Sequence, residues 1–261
     1  MTSYKPVTAA LRVLEVLAAL NRPVAKPTVA GLHEATGIDK ATVVRMLETL
    51  IHAGYVLRDA DQPVYRPTGK TLALSTGYDR HKVVGAILAD DLAAFRQQIG
   101  WPSDVALFDQ DAMLVVHSSR PPEPLSFIRA SGFRAPVLVT SLGLAWLAHC
   151  PEDERAAFVA RAAADPARDN DLARDPARLA ARLAQVRAQG HATMDPSYSR
   201  AHYEGRFSSI GVPIMAGGRV FGAINAMHLL SALGPDEARD RLLAPLQEVA
   251  ARMAVRLAER G

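Results

Sequence analysis

The chain has 261 residues, enough for one large domain or for two. Hydrophobic residues make up 49% and charged residues 22%, the balance of an ordinary soluble globular chain rather than a disordered one. The net charge is only +3, but residues 1–80 carry ten Lys/Arg against seven Asp/Glu, so the whole excess lies there. That placement is a weak electrostatic pointer to nucleic acid.

Glu15 interrupts the apolar opening MTSYKPVTAALRVLEVL and no small-residue cleavage site follows, so no secretory signal is expected. No run approaches the roughly 18 uncharged apolar residues of a membrane span, so no membrane partner is expected, and the expected location is the cytoplasm. Cys150 is the only cysteine, which rules out an internal disulfide and a thiolate metal cluster. No metal or cofactor is expected.

Apolar residues at Val7, Ala10, Leu11, Leu14, Leu17 and Leu20 recur at helical spacing and predict a first helix that buries this face. Asn21-Arg22-Pro23 ends it. Pro27-Thr28 opens a short second helix with Val29, Leu32 and Ala35 inward and Thr28 suited to the cap. Gly37-Ile38 makes a turn, and Asp39 caps a third helix that runs to Ala53 and stops at Gly54. Val43, Met46, Leu47, Leu50 and Ile51 share one side of that helix. Ala41, Val44, Arg45, Glu48 and His52 share the other, with Lys40 at the start. This arrangement predicts a helix-turn-helix whose third helix enters a DNA major groove. Tyr55–Arg58 and Val64–Pro67 are β-prone runs around a polar turn, which predicts a hairpin wing. The candidate DNA contacts are Thr28, Lys40, Ala41, Thr42, Val44, Arg45 and Glu48, with Arg58 and Arg66 of the wing directed to phosphate or the minor groove. Glu48 either accepts from a cytosine amine or repels phosphate.

Thr68 to Lys82 reads as a linker helix with glycine interruptions. A clearer helix runs from Val83 to Ile99, with Val84, Leu88, Leu92, Phe95 and Ile99 in one stripe. The period then changes. Asp104–Phe108 and Met113–Val116 predict strands around a turn, and Leu125–Ile128 a third. Thr140-Ser141 starts a helix, SLGLAWLAHC, and Pro151 starts another with acids in its first turn. DPAR occurs at 165–168 and at 175–178, which reads as a polar loop leading into a helix that ends at Gly190. Ile210–Met215 and Arg219–Met227 flank Ala216-Gly-Gly218 as a hairpin. The last helix starts at Pro235 with Leu242, Leu246, Val249, Met253 and Leu257 in a stripe. The fold class expected is α+β with an antiparallel sheet. The expected domains are a winged helix-turn-helix over 1–67, a linker helix over 68–82 and an α+β domain over 83–261.

The stretches TAALRVLEVLAAL, TVAGLHEATGIDKATVVRMLETLIHAGYVLR and YRPTGKTLALS resemble the DNA-binding domain of the IclR family of bacterial regulators. The family pattern in the recognition helix is Lys-Ser-Thr-Val with an Arg two residues on. Here it is Lys40-Ala41-Thr42-Val43 and Arg45, so Ala41 presents a methyl group in place of a hydroxyl. TSLGLAWLA and GRFSSIGVPIMAGGRVFGAINAM resemble the family's GAF-like effector domain. WPSDVAL, PLSFIRASGFRAPVL and GGRVFGAIN are similar to the branch that regulates hydroxyphenylpropionate and related aromatic-acid catabolism. The resemblance implies a homodimer or dimer of dimers on a double-stranded DNA operator, with RNA polymerase as a further partner of an activator.

The start of the helix at Thr140, Ser141, Leu142 and Gly143 offers backbone N–H groups to a carboxylate. The resemblance places an effector there, against Ser141 and Leu142, then Ser209, Asn225 and Met227, with an acidic contact at Asp195 or Glu204. Leu107, Met113, Phe127, Trp146 and Met227 are candidate apolar walls. Arg129, Arg134 and Arg206 are candidate carboxylate partners. His117 is either a ligand contact or a satisfied, half-buried histidine. The expected ligand is a small aromatic carboxylate, with an aliphatic acid as the alternative. The sequence has no Gly-x-Ser-x-Gly elbow, phosphate loop or zinc spacing, so no enzyme is expected. A redox-sensing interaction module would need Cys150 to be exposed and reactive.

Overall fold

The computed structural model describes residues 5–21, 27–75, 79–119 and 132–259. The chain divides into two compact units, Met1–Asp79 and Arg80–Gly261.

The first unit opens with α1 (Thr8–Leu20), α2 (Val29–Thr36) and α3 (Lys40–His52). Thr28 caps α2: its Oγ1 accepts from the Gly31 N–H at 3.2 Å. Gly37 ends α2 in the left-handed region at φ +69°, where a residue with a side chain would be strained. Asp39 caps α3 by accepting from the Thr42 N–H at 2.9 Å. β1 (Val56–Arg58) pairs antiparallel with β2 (Tyr65–Pro67), Arg58 opposite Tyr65. Leu32, Val43, Leu47 and Leu50 meet Val16, Leu17 and Leu20 in one buried core. Each such side chain contributes about 1.5–3 kcal/mol when fully buried.

The face of α1 differs from expectation. Val7, Leu11 and Leu14 are exposed, whereas Val16, Leu17, Ala19 and Leu20 are buried. Apolar residues surround much of α1, so periodicity alone did not single out the arc that α2 and α3 cover. Ala35 of α2 is also exposed.

A 3₁₀ turn over Gly69–Ser75 precedes α4 (Asp79–Ile99), which begins earlier than the Val83 expected from the apolar stripe. There follow β3 (Ser103–Asp109), β4 (Ala112–Ser118) and β5 (Arg134–Pro136). The strand expected at 125–128 lies outside the described residues; β5, which carries little apolar pattern, pairs with β4. Then come α5 (Ser141–Leu147), α6 (Glu152–Ala164), α7 (Pro176–Gln189), β6 (Ala192–Thr193), α8 (Pro196–Tyr203), β7 (Phe207–Ala216), β8 (Arg219–Leu229) and α9 (Pro235–Ala258). Both DPAR segments use the aspartate to accept from a backbone N–H, Asp175 as the cap of α7 and Asp165 in a turn after α6. Asp165 accepts from the Ala167 N–H, and Asp175 accepts from the Arg178 N–H, each at 3.0 Å. Only the second leads directly into an α-helix; the first leads into a 3₁₀ turn over Arg168–Arg174.

The six strands form one antiparallel sheet in the order β5-β4-β3-β8-β7-β6. Strand alternation separates its two faces. Val105, Ile210, Val212, Ile224 and Ala226 meet Leu88, Leu92 and Phe95 of α4 and Leu242, Leu246, Val249 and Met253 of α9. Ala106, Met113, Val115 and Ala223 meet α5, Phe158 of α6, and Leu179, Leu183 and Val186 of α7. The antiparallel sheet is thus covered by helices on both faces.

Candidate nucleic-acid interface and ligand cleft

The exposed side of α3 carries Lys40, Ala41, Val44, Arg45, Glu48 and His52, all solvent-facing. Thr42 is half-buried and tied to the Asp39 cap. Hydrogen bonds from the Thr42 backbone and side chain hold the Asp39 carboxyl below its usual 3.8, against a small opposing effect of burial. The Asp39 cap therefore remains ionised at neutral pH and locks the first turn that presents Lys40 and Ala41. Thr28 is occupied as the α2 cap.

On the wing, Arg58 and Arg66 are exposed. Arg66 lies 3.4 Å from the Asp59 carboxylate. An exposed pair of this kind is worth about 0–1 kcal/mol, so it is a weak competitor to a phosphate. Lys70 donates to the Ala53 carbonyl at 2.8 Å and lies 4.8 Å from the Tyr55 ring centroid. It satisfies an otherwise orphaned carbonyl at the end of α3. No local pattern signals this contact, since the partners are 17 residues apart.

In the second unit, α5 is pressed onto the sheet by two close approaches. A Cβ on Gly143 would lie 2.1 Å from the Val137 carbonyl oxygen, and one on Gly211 would lie 2.8 Å from the Ser141 carbonyl oxygen. Thr140 caps α5, its Oγ1 accepting from the Gly143 N–H at 3.1 Å and donating to the Pro136 carbonyl at 2.7 Å. The Ser141 and Ser209 hydroxyls share a hydrogen bond at 2.7 Å. Met227 stands opposite Ser209, and Asn225 opposite Gly211. Ser141, Ser209, Asn225 and Met227 are therefore brought together on the α5 face of β7 and β8. Leu142 is fully buried in α5, and the Asn225 Oδ1 accepts from the Asp104 N–H at 2.9 Å. The His117 side chain is half-buried on β4, opposite Val105. Phe127 and Arg129 lie outside the described residues.

Beside this cluster is a cleft of about 860 Å³, within the usual range for a small-molecule site. Of the expected contacts, Asp195 and Ser209 line it. Asp195 caps α8, accepting from Ser197. Burial acts to raise its pKa, but hydrogen bonds from the Ser197 side chain and backbone outweigh this and the net shift is downward. Its apolar walls are Leu138, Val139, Leu144, Met194 and Phe207. Of the expected walls, Met227 packs with Val139, Met194 and Phe207 beside the cleft, Leu107 and Met113 are core residues, Trp146 stacks on Phe108 at 3.8 Å, and Phe127 lies outside the described residues.

The cleft's cations are Arg168, Arg178 and Arg182. Arg182 is half-buried and donates to the Thr193 carbonyl and hydroxyl, and burial pulls its pKa below the usual value. Arg134 is instead engaged by Asp109 and Asp111, and Arg206 pairs with Glu204 at 3.2 Å. Arg178 and Arg182 stand one helical turn apart on α7, a spacing visible in the sequence, but their proximity to Ser209 depends on the fold. Cys150 is buried, with a thiol pKa pushed up by burial to about 11. It is therefore a protonated, inert thiol at neutral pH.

A winged helix-turn-helix together with a second unit that holds a ligand-sized cleft defines a two-part DNA-binding regulator. The chain belongs to the IclR family of bacterial transcriptional regulators: residues 7–60 match the IclR helix-turn-helix domain, and residues 86–255 match the bacterial transcriptional regulator IclR C-terminal domain. It is 29% identical over 239 residues to the Pca regulon regulatory protein of Pseudomonas putida, covering 91% of this chain and 79% of that one. An IclR family transcriptional regulator from Brucella abortus superimposes with a TM-score of 0.64 at 22% identity, over 96% of this chain and 93% of that one. An IclR homolog from Microbacterium hydrocarbonoxydans, solved in complex with 4-hydroxybenzoate, does so with a TM-score of 0.63 at 19% identity, over 97% and 100%. Among the described residues, no helix is long and apolar enough to cross a membrane.

Proposed function

We propose that this regulator is controlled by a small aromatic carboxylate bound in the cleft of the C-terminal unit. The cleft carries the reading: apolar walls from Val139, Met194 and Phe207 suit a ring, and Arg178 and Arg182 of α7 suit its carboxylate. The Pca regulon relative and the 4-hydroxybenzoate complex of a family member support this ligand class. The DNA-reading surface is the exposed side of α3, with Lys40, Ala41, Val44, Arg45 and Glu48 toward the bases and Thr28, Thr42, Arg58 and Arg66 toward the backbone. The domains of this reading are a DNA-binding domain over 1–67, a linker over 68–82 and an effector domain over 83–261. A homodimer, or a dimer of dimers, presents paired α3 helices to a two-fold operator. Ligand and DNA affinities are then coupled reciprocally.

The test is fluorescence anisotropy of the purified protein on its own upstream DNA and on scrambled DNA, at two salt concentrations, with and without a panel of aromatic acids. The expected result is a preference for its own DNA, weakening with salt, that shifts with an aromatic acid. Specific DNA binding that no aromatic acid changes, together with no binding of these acids to the protein, would overturn the effector reading.

A further inference from the structure

The helix α3 carries a single acidic residue, Glu48. The stability of the first unit does not account for it. Its side chain is exposed, so it adds nothing to the core. It lies in the C-terminal half of the helix, where the helix dipole does not favour a negative charge. Arg45, three residues before it, and His52, four residues after it, are spaced to pair with it. Neither does: among the described residues the Glu48 carboxylate has no ion pair or hydrogen bond.

Glu48 stands on the side of α3 that also presents Ala41, Val44 and Arg45, all exposed. Against DNA, an unpaired carboxylate loses water and approaches the phosphates, and both are unfavourable. One group on the base edges of the major groove offsets this. The N4 amine of cytosine donates there, and a carboxylate accepts from it. Adenine also offers an amine, but its N7 is an acceptor beside that amine and repels a carboxylate. Guanine presents acceptors, and thymine an acceptor and a methyl group, so neither rewards a negative charge. The Arg45 guanidinium has the complementary preference, for the O6 and N7 of guanine. Three residues of α-helix rise about 4.5 Å, so Arg45 and Glu48 reach positions roughly one base-pair step apart.

We propose that Glu48 is a specificity-determining residue that accepts a hydrogen bond from the N4 amine of an operator cytosine, a reading that rests on α3 entering the major groove. The carboxylate then sets which sequence is bound, while the surrounding cations set how tightly DNA is held.

The experiment is selection of duplexes from a randomised library by the full chain, wild type and Glu48→Ala. Anisotropy titrations follow on the selected duplex, on versions changed at single base pairs and on scrambled DNA. The wild type is expected to select a cytosine at one position of each half-site and to lose about tenfold in affinity when that base pair is replaced. Glu48→Ala should melt as the wild type does, because the position is exposed. Its loss at the same position should fall below about twofold, with its preferences at other positions kept. Its affinity for scrambled DNA should be equal or higher, since a negative charge has been removed. A variant that binds every duplex more tightly with unchanged base preferences would show that Glu48 only repels phosphate, and would overturn the proposal. A variant that keeps every cytosine preference of the wild type, at whatever affinity, would do the same. Both results leave DNA reading by α3 standing. Selection of no sequence by the wild type would overturn that reading as well.

Discussion

The α3 surface and the cleft are built by opposite routes. Lys40, Val44, Arg45 and Glu48 share a side because Val44 and Glu48 follow Lys40 at steps of four and Arg45 precedes Glu48 by three, and Asp39 caps that helix from the adjacent position. The cleft draws on Val139 before α5, Arg178 and Arg182 on α7, Met194 after β6, Ser209 on β7 and His228 on β8. Nothing local unites these residues. A reading surface on a single helix tolerates change in its outward side chains, because the inward ones hold the fold. A cleft assembled from distant segments depends on each close approach that brings them together.

The sharpest way to break this contrast is Gly143→Ala. The added Cβ would meet the Val137 backbone at 2.1 Å, so α5 must shift. The expected cost is at the upper end of about 1–3 kcal/mol, with loss of aromatic-acid binding, read by thermal denaturation and calorimetry. A variant with unchanged melting and ligand affinity would show that the cleft does not depend on that approach. Arg45→Ala makes the complementary change on an exposed position of α3. It should weaken operator binding by about 1–3 kcal/mol while leaving melting and acid affinity unaltered. Unchanged DNA affinity would remove Arg45 from the groove.

Arg178→Ala should lower aromatic-acid affinity by about 1–2 kcal/mol, the scale of a charge-assisted hydrogen bond, and leave DNA binding without acid intact. Arg178→Lys should recover only part of the loss, because lysine lacks the paired donors. Equal acid affinity in all three proteins would put the carboxylate elsewhere in the cleft. A smaller effect is expected at the Asp39 cap. Its pKa is depressed in the folded chain, so its contribution is present above 3.8 and is lost as pH falls through the folded value. Asp39→Asn should flatten that acid-side loss in a pH series of melts. If both proteins lose stability in parallel, the cap is not the titrating group. The smallest effect belongs to Cys150. A thiol-alkylating reagent at neutral pH should label it only after denaturation, since the buried thiol pKa is about 11. Rapid labelling of the native protein would reopen a redox role.

Most elements were legible in the chain. The Asp39 cap, the inner side of α3, the glycine-marked ends at Gly37 and Gly190 and the stripe from Leu242 to Leu257 all lie where periodicity and capping chemistry put them. The buried arc of α1 was not legible. Leu11 and Leu14 are as apolar as Leu17 and Leu20, and only packing against α2 and α3 chose between them. β5 and β6 were missed because strands of three and two residues carry almost no alternation.

The candidate site divides along the same line. The cluster of Ser141, Ser209, Asn225 and Met227 came from resemblance, and the fold does bring these residues together. Arg134 and Arg206 are equally cationic in the sequence, but neither lines the cleft: Arg134 is held across the chain by Asp109 and Asp111, Arg206 pairs locally with Glu204, and α7 supplies cleft arginines. His228 reads as one more polar residue at the end of an apolar strand, and only the tertiary structure, with Trp101 beside the ring, buries both nitrogens. Composition, caps and periodicity thus decided the elements and the outward side of α3, because those depend on neighbours a few bonds away. Which charges are paired, which helix face is covered and which residues meet in the cleft were decided by contacts between segments far apart in the chain, whose energies no local window contains.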